Sequence, residues 1–165
     1  MIIDAHHHLW EFSPEDYGWI DGSMAILKRD YLPGDLEKEL PAVNVSGTIV
    51  VQARQKIEET RRLLQWSEEF PFIKGVVGWL DLCSGRLEEQ LEEFGRHPAM
   101  KGVRHVIHDE PDDDFMLRPE FVKGIETLGY YDLCYDLLLF PKHLKRASEL
   151  AGEFPNQKFV LDHIG

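Results

Sequence analysis

The sequence has 165 residues and a formal net charge of −12 at pH 7, and hydrophobic residues make up 43% of it. Such an acidic chain is a poor candidate for binding nucleic acid phosphates or for anchoring to a membrane through basic residues. The hydrophobic content excludes disorder as the main state, and no apolar run approaches the ~20 residues of a membrane span. Cys83 and Cys134 are the only cysteines, which excludes a disulfide framework. Because the first four residues lack the basic start of a signal peptide, we expect a cytoplasmic protein.

Six short apolar runs predict the strands of the fold. Most are rich in β-branched or aromatic residues and show little alternation, which is typical of strands covered on both faces in a parallel sheet. In chain order the runs are 1–3, which leads into three histidines, 48–52, 73–80, 101–107, 131–138 and 158–163.

Helical patterns lie between these runs. A helix fits residues 35–43, although Pro41 would shorten or kink it. Ser84 is expected to cap the helix that follows the third run, and Pro119 to take the first position of the next helix. Pro141 is expected to open the helix before the sixth run.

The spacing of the strands predicts the architecture. From the second run onward, strand starts lie about 25 to 30 residues apart, as repeated βα units require. Such units build a (β/α)8 barrel or an open doubly wound sheet, and no glycine-rich loop follows the first strand to favour the latter. A complete barrel needs at least about 200 residues. We therefore predict that residues 1–165 form one α/β domain of the (β/α)8 TIM-barrel type, with about six βα units and an incomplete C-terminal part.

Histidines at strand ends are the strongest candidates for chemistry. His6 and His8 differ by two positions, so they point to the same face of the first strand, while His7 points the other way. At the carboxyl end of a barrel strand that face looks into the active-site mouth, where imidazoles can share a metal ion. His163 ends the sixth run in the same manner. The alternative is a set of histidines bonded within the structure, or a cloned histidine stretch.

Polar side chains on other strands extend this candidate site. An arginine such as Arg104, inside a buried strand, needs either a polar cavity or a charged partner. It could hold substrate, or it could form a structural ion pair with Asp4 or Asp136. Gln52 and Arg54 end the second run and are further candidates for substrate binding.

The segment 9–32 is a long connection that carries several aromatic residues. Long loops in compact domains are often lids or binding loops, so Trp10 and its aromatic neighbours could stack on sugar rings. The alternative is a hydrophobic cluster that shields the side of the barrel. The acidic run 109–114 is expected to be a solvated turn, with a site for a hard cation as the alternative.

Four stretches of the sequence together resemble the lactonase-like branch of the amidohydrolase superfamily, which includes proteins of the L-fuconolactonase and L-rhamnonolactonase type. The stretches are Ile3-Asp4-Ala5-His6-His7-His8-Leu9-Trp10, Gly102-Val103-Arg104-His105 with Asp109-Glu110-Pro111, Tyr135-Asp136-Leu137-Leu138, and Val160-Leu161-Asp162-His163-Ile164-Gly165. The resemblance implies a distorted (β/α)8 barrel that hydrolyses small lactones or related cyclic esters with activated water.

By resemblance, His6, His8 and His163 match the metal ligands of the family, and Arg104 matches its strand 4 arginine. His163 and Arg104 are the expected catalytic residues. The metal would be a divalent ion such as Zn²⁺, although some members of the branch are thought to work without one. The family's strand 8 aspartate has no counterpart within these residues, so a chain ending at Gly165 is expected to have little activity.

Other functions stay open at this point. A metal-dependent decarboxylase or a lactone isomerase of the same superfamily is one alternative, and a non-catalytic barrel that acts as a binding or assembly module is another. The expected partner is a small lactone, with a homo-oligomer as an open possibility and with neither nucleic acid nor membrane as a partner.

Overall fold

A computed structural model describes residues 1–164, and it contains six parallel strands in the order β1-β2-β3-β4-β5-β6. The strands are β1 (Ile3–His7), β2 (Gly47–Val51), β3 (Ile73–Gly78), β4 (Met100–Val106), β5 (Cys134–Leu138) and β6 (Phe159–Leu161). The helices between them are α1 (Pro33–Glu39), α2 (Ile57–Glu69), α3 (Leu87–Gln90), α4 (Pro119–Gly129) and α5 (Leu144–Glu153). This order confirms the prediction of a (β/α) barrel type with about six units.

The sheet curls so that side chains at the carboxyl ends of its first and last strands meet. The rings of His6, on β1, and His163, just after β6, have centroids 4.7 Å apart. The main hydrophobic core lies between the sheet and its helices and includes the fully buried Val76, Leu91 and Ile125. Burial on both faces explains why the central strands read as continuous apolar runs.

Several boundaries differ from the predictions for local reasons. The fifth strand begins at Cys134 and not at 131, because Asp132 turns the chain with φ of 56°. The sixth strand ends at Leu161, and Asp162–Ile164 form a 3-10 turn. Pro41 does shorten its helix, since α1 ends at Glu39 and a 3-10 turn, Leu40–Val43, follows.

The other two proline predictions and the Ser84 cap have mixed outcomes. Pro119 is the first residue of α4, as predicted. Pro141 opens a 3-10 turn, Pro141–His143, which leads directly into α5. The Ser84 cap is wrong by two residues, because Arg86 occupies the cap position, α3 begins at Leu87, and the Ser84 hydroxyl accepts from Arg86 N–H. A π-helical turn, Leu91–Gly95, continues α3.

The long segment after β1 forms a small hydrophobic cluster of its own. Trp10 pairs with Tyr31 through two backbone hydrogen bonds of 3.0 and 2.9 Å, which close the segment into a loop. Trp10, Tyr17 and Ile20 are buried inside it. The alternative of a shielding cluster therefore holds for most of these aromatic residues. Among residues 1–164, none of the helices has the length and apolar character needed to cross a membrane.

Candidate active site

Polar residues from three strand ends meet at the carboxyl edge of the sheet. His6 lies on β1, Arg104 on β4, and Asp162 with His163 in the turn after β6. Ligand atoms of His6, Asp162 and His163 all lie within 4.8 Å of one another. The carboxyl ends of parallel strands share one edge of a barrel, which is why residues so distant in sequence converge there.

The ring orientation of His8 is set by a main-chain contact. Its Nδ1 lies 2.8 Å from the carbonyl oxygen of Val51 at the end of β2. Because a carbonyl oxygen can only accept, Nδ1 carries the hydrogen, and the neutral ring keeps a lone pair on Nε2. Burial, the largest effect, and the positive charge of Arg104 together lower the pKa of His8 to about 4. His8 Nε2 faces the Nε2 atom of His6 at 3.3 Å, so a proton or a cation is well placed between them.

Arg104 is the buried cation of the site and is 3% exposed. Its Nη1 donates to Asp162 Oδ2 at 2.9 Å and lies 3.3 Å from His6 Nε2, while Nη2 donates to the carbonyl oxygen of Gln52. The ion pair that sequence reasoning offered as an alternative therefore exists, but its partner is Asp162, and neither Asp4 nor Asp136. The neighbouring His105 faces the opposite side and stacks on Phe115 at 4.9 Å.

Two buried carboxyl groups respond in opposite ways to this environment. Burial, the largest effect, and the negative charge of Asp162 together raise the pKa of Asp136 to about 7, against the opposing effect of Arg104. For Asp162, burial acts in the same direction, but its interactions with His6 and Arg104 outweigh burial and lower its pKa. Arg104 therefore stabilises the carboxylate of Asp162, whereas the carboxyl group of Asp136 tends to hold a proton.

A cleft of about 380 Å³ opens above this polar floor. Its floor includes His8, Arg104 and His163. Its walls come from strand ends and from the loops that follow the strands, and consist of Trp19, Ala53, Val106, His108, Asp109 and Leu138.

Three residues that the sequence offered as substrate-binding candidates do not line this cleft. Gln52 is fully buried, and its carboxamide donates to the carbonyl oxygen of Arg104 at 3.4 Å. The Arg54 guanidinium pairs with Asp16 in the shielding loop. The Trp10 indole N–H donates to the carbonyl oxygen of Arg29 at 2.9 Å. Each of these side chains thus already has a polar partner, and the three residues support the loop and the sheet around the cleft.

The sequence indicated no separate role for Asp162 or His108. It included Trp19 among the aromatic residues that could stack on sugar rings, and Asp109 in an acidic run expected to be a solvated turn. The strand pattern placed only His163 on the inner face, because neighbours alternate along a strand. In the structure the strand has ended, and His163 adopts φ of 54°, so that both Asp162 and His163 reach the site. Their adjacency at the end of an apolar run was the available signal for Asp162.

The amidohydrolase family matches residues 3–165. The chain belongs to the amidohydrolase family. It is 34% identical to an L-fucono-1,5-lactonase of Burkholderia ambifaria, over 98% of this chain and 56% of that protein. It is 36% identical to an L-fucono-1,5-lactonase of Burkholderia multivorans, over 100% of this chain and 56% of that protein.

A solved structure agrees with the architecture of this amidohydrolase chain. An amidohydrolase of Burkholderia multivorans, crystallised with bound zinc, superposes with a TM-score of 0.95 at 36% identity. The superposition covers 100% of this chain and 58% of that one. The chain therefore spans somewhat more than half the length of the relatives it matches.

Proposed function

We propose that the protein is a hydrolase that opens sugar lactones or related cyclic esters. The observation that carries this proposal is the convergence of His8, Arg104 and His163 at the floor of one cleft, with His6 in contact with both histidines. The similarity to two L-fucono-1,5-lactonases supports sugar lactones as the substrate class. Residues 1–165 are proposed to belong to a single barrel domain.

The chemistry of lactone opening assigns roles to these residues. A water oxygen attacks the carbonyl carbon, the ring C–O bond breaks, and the ring oxygen leaves as a hydroxyl group after gaining a proton. Without a bound metal, His163 is proposed to take the proton from water and to return it to the leaving ring oxygen. Arg104 and the imidazole of His6 are proposed to stabilise the negative charge that develops on the carbonyl oxygen.

Arg104 is held in a fixed position, which suits it to stabilise developing negative charge electrostatically. Its Nη1 donates to Asp162 and its Nη2 donates to the carbonyl oxygen of Gln52, and the two hydrogen bonds fix the plane of the guanidinium. A preorganised charge of this kind needs no rearrangement when negative charge appears nearby. Burial in a low-dielectric floor increases its effect.

The donor set also fits a divalent metal ion such as Zn²⁺. His6, Asp162 and His163 bring ligand atoms within 4.8 Å of one another, and His8 presents an Nε2 lone pair because Val51 holds its Nδ1 hydrogen. His6, His8 and His163, with Asp162, are the residues proposed to hold it. When bound, such an ion would polarise the carbonyl group and lower the pKa of water.

The test uses the full-length product of the gene and a panel of aldonolactones, with acid release followed by a pH indicator. We expect hydrolysis of at least one neutral lactone, and a loss of about 100-fold or more in kcat for His163→Ala. The matched control is His97→Ala, since His97 pairs with Glu68 on the surface and does not line the cleft. Hydrolysis of none of these lactones, either after metal loading or after chelation, would overturn the proposed function.

Metal binding is tested separately from turnover. Zinc content is measured by mass spectrometry after dialysis of the wild type, of His8→Ala and of His97→Ala. We expect stoichiometric zinc in the wild type and in the control, and loss of zinc in His8→Ala. Equal zinc content in all three proteins would contradict the ligand role of His8.

A further inference from the structure

The charge of the cleft limits the substrates that it can accept. Arg104 is the only lysine or arginine among its described lining residues, and the carboxylate of Asp162 already balances that charge at 2.9 Å. Asp109 adds a carboxylate on the wall, with its side chain 69% exposed. The described lining residues therefore include no arginine or lysine whose charge is left to bind a carboxylate on a substrate.

One wall of the cleft is an aromatic surface. Trp19 is 46% exposed and meets Trp10 edge-on, with ring centroids 6.3 Å apart and planes 80° apart. Its indole is therefore anchored at one side by the buried cluster while part of it faces the cleft. Indole faces attract the slightly positive C–H groups of a sugar ring, and the contact also buries apolar area.

A second wall holds a polar pair in a defined orientation. The ring of His108 lies nearly parallel to that of Phe140, with centroids 4.6 Å apart and planes 14° apart. His108 Nε2 lies 3.3 Å from Asp109 Oδ1. The stacking sets the plane of the imidazole, so the pair offers hydrogen-bonding atoms that suit hydroxyl groups.

We propose that Trp19 and the His108–Asp109 pair form a specificity site that selects an uncharged, hydroxylated lactone ring over a lactone that carries a carboxylate. Trp19 takes the C–H face of the ring, and the pair binds its hydroxyl groups. Asp109 repels a carboxylate on the same ring. This inference rests on the proposed lactonase function, which the panel of aldonolactones tests on its own.

The experiment measures binding, so that it does not depend on turnover. The probes are two lactams, in which N–H replaces the ring oxygen: a neutral polyhydroxylated lactam and the same lactam with an exocyclic carboxylate. Dissociation constants are measured by calorimetry with the full-length gene product at low and high ionic strength. We expect the neutral lactam to bind at least tenfold more tightly at low ionic strength, with a smaller ratio at high salt because Asp109 is exposed.

Variants then assign the selectivity to residues. Asp109→Asn should lower the ratio about threefold to tenfold by improving binding of the charged lactam, whereas Asp109→Glu, which keeps the charge, should retain it. Asp35→Asn is the matched control, because it removes the same charge from an exposed position on α1 that does not line the cleft. Trp19→Ala should weaken binding of the neutral lactam about tenfold, and Trp19→Phe should restore most of it.

The outcomes separate this inference from the proposed function. Equal binding of both lactams, failure of the neutral lactam to bind, or an unchanged ratio in Asp109→Asn would overturn the specificity site even if aldonolactones are hydrolysed. Preferential binding of the neutral lactam that depends on Trp19 and Asp109 would support it even if the proposed hydrolysis fails.

Discussion

Replacing Asp136 by asparagine should stabilise the protein at alkaline pH. Asp136 is 5% exposed and lies beside Arg104 in the register of β4 and β5, with Asp162 as a nearby negative charge. Burial, and then Asp162, raise its pKa from 3.8 to about 7. The ionised form is therefore disfavoured in the folded protein, by about 4 kcal/mol at pH values above 7 on the order-of-magnitude relation between pKa and free energy.

The sign follows from proton binding. Between pH 3.8 and about 7 the folded protein holds the proton of Asp136 more tightly than the unfolded chain, so the free energy of unfolding falls as pH rises. Asparagine does not ionise and avoids this loss. Between pH 5 and pH 8, the advantage of Asp136→Asn over the wild type should therefore grow by about 2 to 3 kcal/mol.

The assay is urea denaturation of both proteins at several pH values, with the slope on denaturant checked for equality. The quantity to compare is the difference in unfolding free energy between the two proteins at each pH. This difference cancels the contribution of His8, which changes with pH in the direction opposite to that of Asp136. The folded pKa of His8, about 4, lies below its ordinary value of 6.5, so its contribution grows with pH over that interval. A stability difference that stays constant from pH 5 to pH 8 would refute the reasoning on Asp136.

Asp162→Asn is the matched variant for this experiment. Asp162 is also buried, at 4% exposure, but its carboxylate pairs with Arg104 at 2.9 Å. Its loss leaves a buried cation without its partner and should destabilise the protein by about 3 to 5 kcal/mol at pH 8. Replacement of aspartate by asparagine is thus expected to stabilise the protein at position 136 and to destabilise it at position 162.

Two further predictions concern packing and the buried arginine. Gly124→Ala should destabilise by about 1 to 3 kcal/mol in urea denaturation, because its Cβ would lie 2.4 Å from the carbonyl oxygen of Leu82. Gly34→Ala, with no atom within 4 Å of its Cβ in α1, should be neutral or stabilising by up to about 1 kcal/mol, and equal effects of the two would contradict the close approach at Gly124. Arg104→Lys should lower kcat/KM about 100-fold or more, since an ammonium group cannot reproduce the planar fork that joins Asp162 to the main chain. Full activity in Arg104→Lys would show that a point charge is sufficient.

Local rules were enough to predict the framework of the fold. Buried apolar runs at regular spacing predict parallel strands separated by helices, and the structure contains six of them. The prolines at 41 and 119 mark a helix end and a helix start because their rings restrict the backbone wherever they occur. The alternation of side chains along a strand likewise predicts that His6 and His8 share a face, and their Nε2 atoms lie 3.3 Å apart.

The sequence by itself therefore determined the order of strands and helices and which strand ends carry the polar groups. The tertiary structure decided which partners those groups meet. Arg104 selects Asp162 across 58 residues of chain, and His8 takes its tautomer from the main chain of Val51. The turn after β6 brings both Asp162 and His163 inward, against strict alternation. Such contacts depend on how far the sheet curls and where each strand ends, and no periodicity within one segment contains that information.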